Sequence, residues 1–176
     1  MGRRHHTSQR HQRRTWLGVS GTHYYGSGIF TLQLTVTDKD GGVGTGSRAV
    51  TVDPRSVTIA ASPNAVSLSE KRAKQIDIII VSAPELDATQ IDPATLRVGD
   101  GNDPDALPVR RKNGAYVLSM RDVNHDGLRD LTFSVEKSDP NLAIAAPSTT
   151  QVVRGAIPTS LRPIVLRGSV AVAVAP

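Results

Sequence analysis

Oxygen-bearing side chains stand at four of the five alternate positions in one short stretch of the chain, residues 122–130. Calcium takes roughly six to eight oxygen ligands, and a tight loop presents them at alternate positions. If Asp122 is counted as position 1, the glycine at position 6 permits the sharp turn, and the backbone carbonyl at position 7 adds a further oxygen. The pattern therefore predicts a structural Ca²⁺ site whose ligands are Asp122, Asn124, Asp126, the carbonyl of Leu128, and Asp130.

The residues on either side of this loop predict the kind of site. YVLSM precedes the loop and LTFSV follows it, and both segments have strand character, so we expect the loop to close a β-hairpin. An EF-hand would place a bidentate glutamate at position 12, where this chain has Phe133. The loop resembles the calcium hairpins of FG-GAP repeats, and the resemblance implies ligands at positions 1, 3, 5, 7 and 9. The alternative is a surface turn without metal, because Asn, Asp and Gly favour turns in any case.

Two other acidic stretches are weaker candidates for cation binding. Asp38, Asp40 and Gly41 begin like a calcium loop but are followed by no further acid at the required spacing, which favours a plain hairpin turn. A second acidic stretch, formed by Asp100, Asn102, Asp103 and Asp105, is typical of a solvated loop.

The sequence offers no recognisable catalytic set. It has no cysteine, no serine in a nucleophile-elbow motif, and five histidines, three of which lie in the first eleven residues. The clustered carboxylates are accounted for by the metal loop. We therefore expect a protein that is not an enzyme.

The positive charge of the chain is concentrated at one end. Five of its 21 Lys and Arg residues lie in the first fifteen residues, and the remaining 16 balance the 16 Asp and Glu. Residues 1–20 also contain little apolar surface, so they are predicted to be a disordered basic tail. The neutral body argues against a polyanion-binding face and against specific nucleic-acid binding.

No segment of the sequence is suited to crossing or entering a membrane. No run approaches the ~20 apolar residues of a membrane-spanning helix. The basic residues at the start are not followed by the apolar segment of a signal peptide. If the protein is exported, we expect its signal to lie outside this sequence.

The remaining sequence has the character of short strands joined by turns. Its apolar residues are mainly Val, Ile, Leu and Ala, interrupted by 15 Gly and 11 Pro. Residues 29–37 alternate between apolar and polar side chains, which predicts a half-buried strand. Residues 76–82 contain a continuous apolar run, which predicts a central strand covered on both faces. Further short strands are predicted at 48–52, 57–61, 66–68, 96–98, 116–120, 131–135, 142–145, 164–166 and 170–174, with one short helical stretch at 67–75. This pattern predicts an all-β fold of the immunoglobulin-like β-sandwich class.

The pair Asp53–Pro54 predicts a linker, because proline donates no hydrogen bond to a sheet and favours extended geometry in the residue before it. We therefore expect three parts: the tail at 1–20, a first β unit at 21–54, and a β-sandwich domain with the calcium loop at 55–176.

The first β unit resembles the C-terminal half of a polycystic-kidney-disease (PKD) domain. The residues that carry the resemblance are Tyr25, Gly28, Phe30, Leu34, Thr35, Val36, Thr37, Asp38, Gly41, Val50, Thr51 and Val52. PKD domains are β-sandwiches, so the resemblance implies half a sandwich with one apolar face uncovered. We expect either that the chain is a fragment or that the second unit covers this face.

The second unit resembles a domain often found beside PKD domains at the C-terminal end of bacterial secreted proteins. ELDATQIDPATLRVGDG at residues 85–101 and MRDVNHDGLRDLTFSV at residues 120–135 carry this resemblance. It implies an extracellular or cell-surface location. Together these features predict a non-catalytic, calcium-stabilised spacer module of a larger bacterial secreted or surface protein, with the other domains of that protein as its partners. The alternative is a binding module for polysaccharide or a cell-surface partner, an option weakened by the small number of aromatic residues.

Overall fold

The computed structural model describes residues 20–67, 74–102, 105–142, 144 and 148–175. The predicted tail lies outside the described residues except for Ser20, and so do residues 68–73 of the predicted helical stretch. The strands are β1 Gly28–Thr37, β2 Val43–Val52, β3 Arg55–Ser56, β4 Thr58–Ser62, β5 Ala65–Ser67, β6 Gln75–Val81, β7 Arg97–Gly99, β8 Leu118–Arg121, β9 Asp130–Glu136, β10 Ser148–Ile157 and β11 Ile164–Ala175. Three short 3-10 turns lie at Ala88–Gln90, Pro93–Thr95 and Pro140–Leu142.

Strands β1 and β2 form a hairpin that is a two-stranded sheet by itself. They pair along their whole length, from Gly28 opposite Val52 to Thr37 opposite Val43. The alternation in β1 places its apolar side chains on one face, yet Leu32, Leu34 and Val36 are each about half exposed, at 50%, 50% and 51%. The described part of the second unit does not cover this face.

The strands from β4 onward form two sheets with the strand order of an immunoglobulin-like domain. One antiparallel sheet has the order β4-β6-β9-β8, and the other has β11-β10-β7, with β3 and β5 both pairing in parallel with β11. Counted along the chain without β3 and β5, these orders are A-B-E-D and G-F-C, as in immunoglobulin constant-type domains. The predicted all-β, immunoglobulin-like fold is confirmed. We refer to the two sheets as the ABED sheet and the GFC sheet.

A single apolar core lies between the two sheets. From the ABED sheet it receives the isoleucines of β6 at 76, 78 and 80 and Phe133 of β9, and from the GFC sheet Val98, Val153 and Leu166, all no more than 1% exposed. Strand β6 is central and Ile79 on its other face is only 8% exposed, as the apolar run predicted. Burying side chains of this size contributes roughly 1.5–3 kcal/mol each, so this core is the main stabilising element of the domain.

Several strand boundaries differ from those predicted. Strand β10 was missed, and the predicted strand at 142–145 is wrong at Leu142, which ends a 3-10 turn. Strand β2 begins at Val43, five residues before the predicted strand at 48–52, and β11 is one strand where two were predicted. The inward positions of β10 include Gln151 and Gly155, so the strand shows no apolar alternation that its sequence could reveal.

The first strands of the sandwich cross from one sheet to the other over a single glycine. Strand β3 pairs with β11 of the GFC sheet, and β4 pairs with β6 of the ABED sheet. At the crossing a Cβ on Gly168 would meet the Val57 carbonyl oxygen and the Ile59 side chain. Because Gly168 has no side chain, the backbone of β11 and the backbone at Val57 can approach each other closely. The chain leaves the GFC sheet and enters the ABED sheet at this point.

Candidate metal centre

The predicted calcium loop joins β8 to β9 at the edge of the ABED sheet. Arg121 is opposite Asp130 in the last pair of this hairpin, so residues 122–129 form the connection. Two residues of the connection have positive φ, His125 at 63° and Gly127 at 88°. The loop therefore closes a β-hairpin as predicted, and the left-handed backbone at Gly127 is a conformation that favours glycine.

Three predicted ligands lie together and hold the shape of the loop. The Asp122 carboxylate accepts hydrogen bonds from the amides of Asp126 and Gly127, at 3.2 and 2.9 Å. The Asn124 side-chain amide donates to Asp126 Oδ2 at 2.9 Å, and the Leu128 amide donates to Asp126 Oδ1 at 2.8 Å. The Leu128 amide, followed by Asn124, lowers the pKa of Asp126 below its ordinary value, so this carboxylate is ionised at neutral pH.

Asp130 has different surroundings from the other acids of the loop. Its side chain is fully buried, and its two carboxylate oxygens accept hydrogen bonds from the amides of Ser82 and Val123, at 2.9 and 2.8 Å. Ser82 follows β6, so this contact ties the loop to the neighbouring strand of the ABED sheet. Asp122 also accepts backbone amides on both carboxylate oxygens, so burial is what distinguishes Asp130.

Ser82 supports the loop, a contact that the sequence did not predict. Its hydroxyl donates to the Arg129 carbonyl at 2.6 Å and accepts from the Ala88 amide at 2.9 Å, while its own amide binds Asp130. The residue is 5% exposed. In the sequence, Ser82 is recognisable only as a polar residue directly after a buried strand. Many exposed serines have the same position, so the sequence alone could not single it out.

The oxygen-bearing residues of the loop suit a hard cation, but the three acids are not gathered around one point. Within the described residues, no group of three Asp, Glu, His or Cys side chains is placed so that it could hold a metal ion. Asp122, Asn124 and Asp126 are joined by hydrogen bonds within the exposed loop, whereas Asp130 is buried. The structure therefore brings Asp122, Asn124 and Asp126 together in one loop and holds Asp130 apart from them in a buried position.

A cavity of about 310 Å³ lies beside the loop, lined by Leu86, Asp87, Thr89, Leu128 and Arg129 among others. Thr89 donates from both its amide and its hydroxyl to Asp87, and the hydroxyl is the larger cause of a lowered pKa for this carboxyl. Asp87 is therefore ionised and occupied as the cap of the first 3-10 turn, which does not suit it to act as a general acid or base.

The two weaker acidic stretches form structures of their own. Asp38 accepts hydrogen bonds from the amides of Asp40 and Gly42, at 2.9 and 2.7 Å, and closes the β1–β2 hairpin as the turn favoured by the sequence. Asp105 is buried and paired with Arg154, whose Nε lies 3.0 Å from its Oδ2, so the expectation of a solvated loop is wrong at this residue. Asp103 lies outside the described residues.

Comparisons with known proteins found no matching family model, no matching curated protein and no matching solved structure. In the part of the chain that the structure describes, no helix is long and apolar enough to span a membrane.

Proposed function

We propose that this chain is a non-catalytic spacer module of a larger bacterial secreted or cell-surface protein, stabilised by one Ca²⁺ in the β8–β9 loop. The observation that carries the proposal is the hydrogen-bonded arrangement of Asp122, Asn124 and Asp126 at the end of a hairpin of the sandwich. Carboxylate and amide oxygens at this spacing are the ligands that Ca²⁺ prefers.

The ligands of this site are the side chains of Asp122, Asn124 and Asp126 and the Leu128 carbonyl. Among the described residues, no hydrogen-bond donor reaches that carbonyl oxygen. Asp130 acts as a positioning residue, because its bonds to Ser82 and Val123 fix the loop on the sheet. Four protein oxygens leave room for water, and sites of this kind bind Ca²⁺ with dissociation constants of roughly 10⁻⁶ to 10⁻³ M.

The extracellular role follows from that affinity and from the resemblance to a domain of bacterial secreted proteins. Extracellular calcium would saturate a site in this range, whereas cytosolic calcium would not. Two covalently continuous β units separated by Asp53 and Pro54 also suit a module that spaces other domains. The resemblance of residues 21–54 to half of a PKD domain supports the same proposal.

The test is thermal unfolding of the full chain in calcium and in chelator. At a calcium concentration about 100-fold above Kd, binding stabilises the folded state by about 2.7 kcal/mol. For a chain of this size that raises Tm by roughly 5–10 °C. The Asp126→Ala variant is expected to lose this difference, because it lacks a central ligand and its negative charge.

Asn113→Ala is the matched control, because Asn113 is an exposed side chain in another turn whose Oδ1 accepts only the amide of Ala115. It should keep the calcium-dependent rise in Tm. Equal melting temperatures for the wild-type chain in calcium and in chelator would overturn the proposal and leave the loop as a surface turn.

A second candidate function is binding to a polysaccharide or a cell-surface partner. One observation favours it: the outward face of the GFC sheet carries a polar groove of about 680 Å³ that includes Arg167.

A further inference from the structure

Three arginines lie side by side across the GFC sheet. Arg154 of β10 is directly opposite Arg167 of β11 on one side and Arg97 of β7 on the other. Their chain neighbours Val98, Val153 and Leu166 point into the core and are no more than 1% exposed, so the three arginines share the outward face. Adjacent strands are about 4.8 Å apart, so the row extends over roughly 10 Å.

Like charges that are directly opposite one another in a sheet destabilise it unless partners or solvent offset them. The buried Asp105 pairs with Arg154 at the centre. Arg97 donates to two backbone carbonyls, those of Ala94 and Leu96, which carry no full charge. Arg167 is exposed, and its guanidinium group makes no hydrogen bond or ion pair with any described residue. A ligand with several negative groups would relieve this repulsion.

The surface beside Arg167 is a shallow groove with exposed hydroxyl groups. Ser56, Thr58, Thr150 and Ser169 line it, together with the single carboxylate of Asp53. Hydroxyl side chains can donate to and accept from sugar hydroxyls. A guanidinium group binds a planar carboxylate through two parallel hydrogen bonds. The combination suits a polymer that carries both hydroxyls and acidic groups.

We propose that this row of arginines and its groove bind an acidic polysaccharide. The described aromatic residues lie elsewhere: Tyr24, Tyr25 and Phe30 belong to the hairpin unit, Phe133 is in the core, and Tyr116 contacts Arg110. Single-stranded nucleic acid is held largely by stacking on aromatic side chains, which this face lacks. An acidic sugar polymer is recognised through charge and hydroxyl groups without such stacking.

This proposal does not rest on the calcium site, which is on the other sheet. The two can therefore fail separately, and binding is measured in chelator. Residues 1–15 contain five arginines that bind any polyanion, so variants of the full chain with equal net charge must be compared.

The experiment is native gel electrophoresis of the full chain, at about 0.15 M ionic strength, through gels that contain polygalacturonate, dextran sulfate or neutral dextran. Loss of a charge-assisted hydrogen bond weakens binding by roughly tenfold. Arg167→Gln should show this loss with the acidic polymers, and neither protein should be retarded by neutral dextran. The control is Arg121→Gln, which removes another exposed arginine, one that lies on the ABED sheet. It should be retarded like the wild-type chain.

The two acidic polymers separate the possible acidic groups, because stronger retardation by polygalacturonate assigns carboxylates and stronger retardation by dextran sulfate assigns sulfates. Equal weakening in both variants would overturn the proposal, since net charge alone would then explain the binding. So would the absence of retardation by either acidic polymer. Arg167-dependent binding of oligo-dT that exceeds polysaccharide binding would assign the face to nucleic acid instead.

Discussion

Two aspartates of one loop, Asp126 and Asp130, have different surroundings. Asp126 is exposed and accepts hydrogen bonds from within the loop, from the Leu128 amide and the Asn124 side chain. Asp130 is buried and accepts from the amides of Ser82 and Val123. At the residue scale, the proposed function makes Asp126 a ligand of the cation and Asp130 a support of the loop.

Substitution of Asp130 tests this division. Asp130→Asn replaces one carboxylate oxygen with an amide group that faces a backbone donor, so one buried amide loses its acceptor. We expect a loss of about 1–3 kcal/mol in the free energy of unfolding, in calcium and in chelator alike. Urea denaturation measured by circular dichroism would show it.

Asp126→Asn is the control for this substitution and should cost less stability in chelator than Asp130→Asn, because the hydrogen bonds that Asp126 accepts are exposed and water can replace them. If Asp130→Asn instead lowers stability only when calcium is present, Asp130 is a ligand and its supporting role is disproved.

At the scale of elements, the passage of the chain from β3 to β4 beside β11 leaves little room for a larger side chain. The chain passes from β3 to β4 over Gly168, where the Val57 carbonyl and the Ile59 side chain occupy the space of a Cβ. The apolar side chain of Ile59 is part of the core between the sheets. A side chain at position 168 would therefore push the segment that joins β3 to β4 away from β11.

Gly168→Ala is expected to destabilise the sandwich by about 1–3 kcal/mol through overpacking. Gly46→Ala is the matched control, because a Cβ on Gly46 of β2 would meet no atom within 4 Å. In a strand, alanine in place of glycine should be neutral or stabilising by up to ~1 kcal/mol. Equal melting temperatures for Gly168→Ala and the wild-type chain would show that β4 can move away without cost.

At the scale of the whole molecule, the two β units differ in how much apolar surface they bury. The sandwich has a continuous core between two sheets. In the β1–β2 hairpin the apolar side chains Leu32, Leu34 and Val36 remain about half exposed, and the two strands pair only with each other among the described strands. A two-stranded hairpin is at best marginally stable in water.

We therefore expect the hairpin to open before the sandwich does. Amides of β1 and β2 should exchange with deuterium through local opening, whereas those of β6 and β9 should exchange only through global unfolding. Limited proteolysis should cut within residues 28–52 first. First cleavage within β6 or β9 would contradict this order of stability and the division of the chain at Asp53 and Pro54.

The sequence determined the features that depend on residues close together in the chain. Period-two alternation located β1, the continuous isoleucine run located the central strand β6, and the spacing of oxygen side chains located a hairpin loop between β8 and β9. These features follow from local geometry, because side chains two positions apart share one face of a strand and loop residues contact one another directly.

Tertiary structure decided what depends on pairing between distant segments. Strand β10 contains a buried glutamine, Gln151, whose side-chain amide finds no hydrogen-bond partner in the described part of the chain. The burial of this strand therefore depends on the strands beside it and not on the pattern of its own residues. The balanced charge count of the body argued against a polyanion-binding face. Strand register nevertheless places Arg97, Arg154 and Arg167 in one row, and a count of charges contains no information about register.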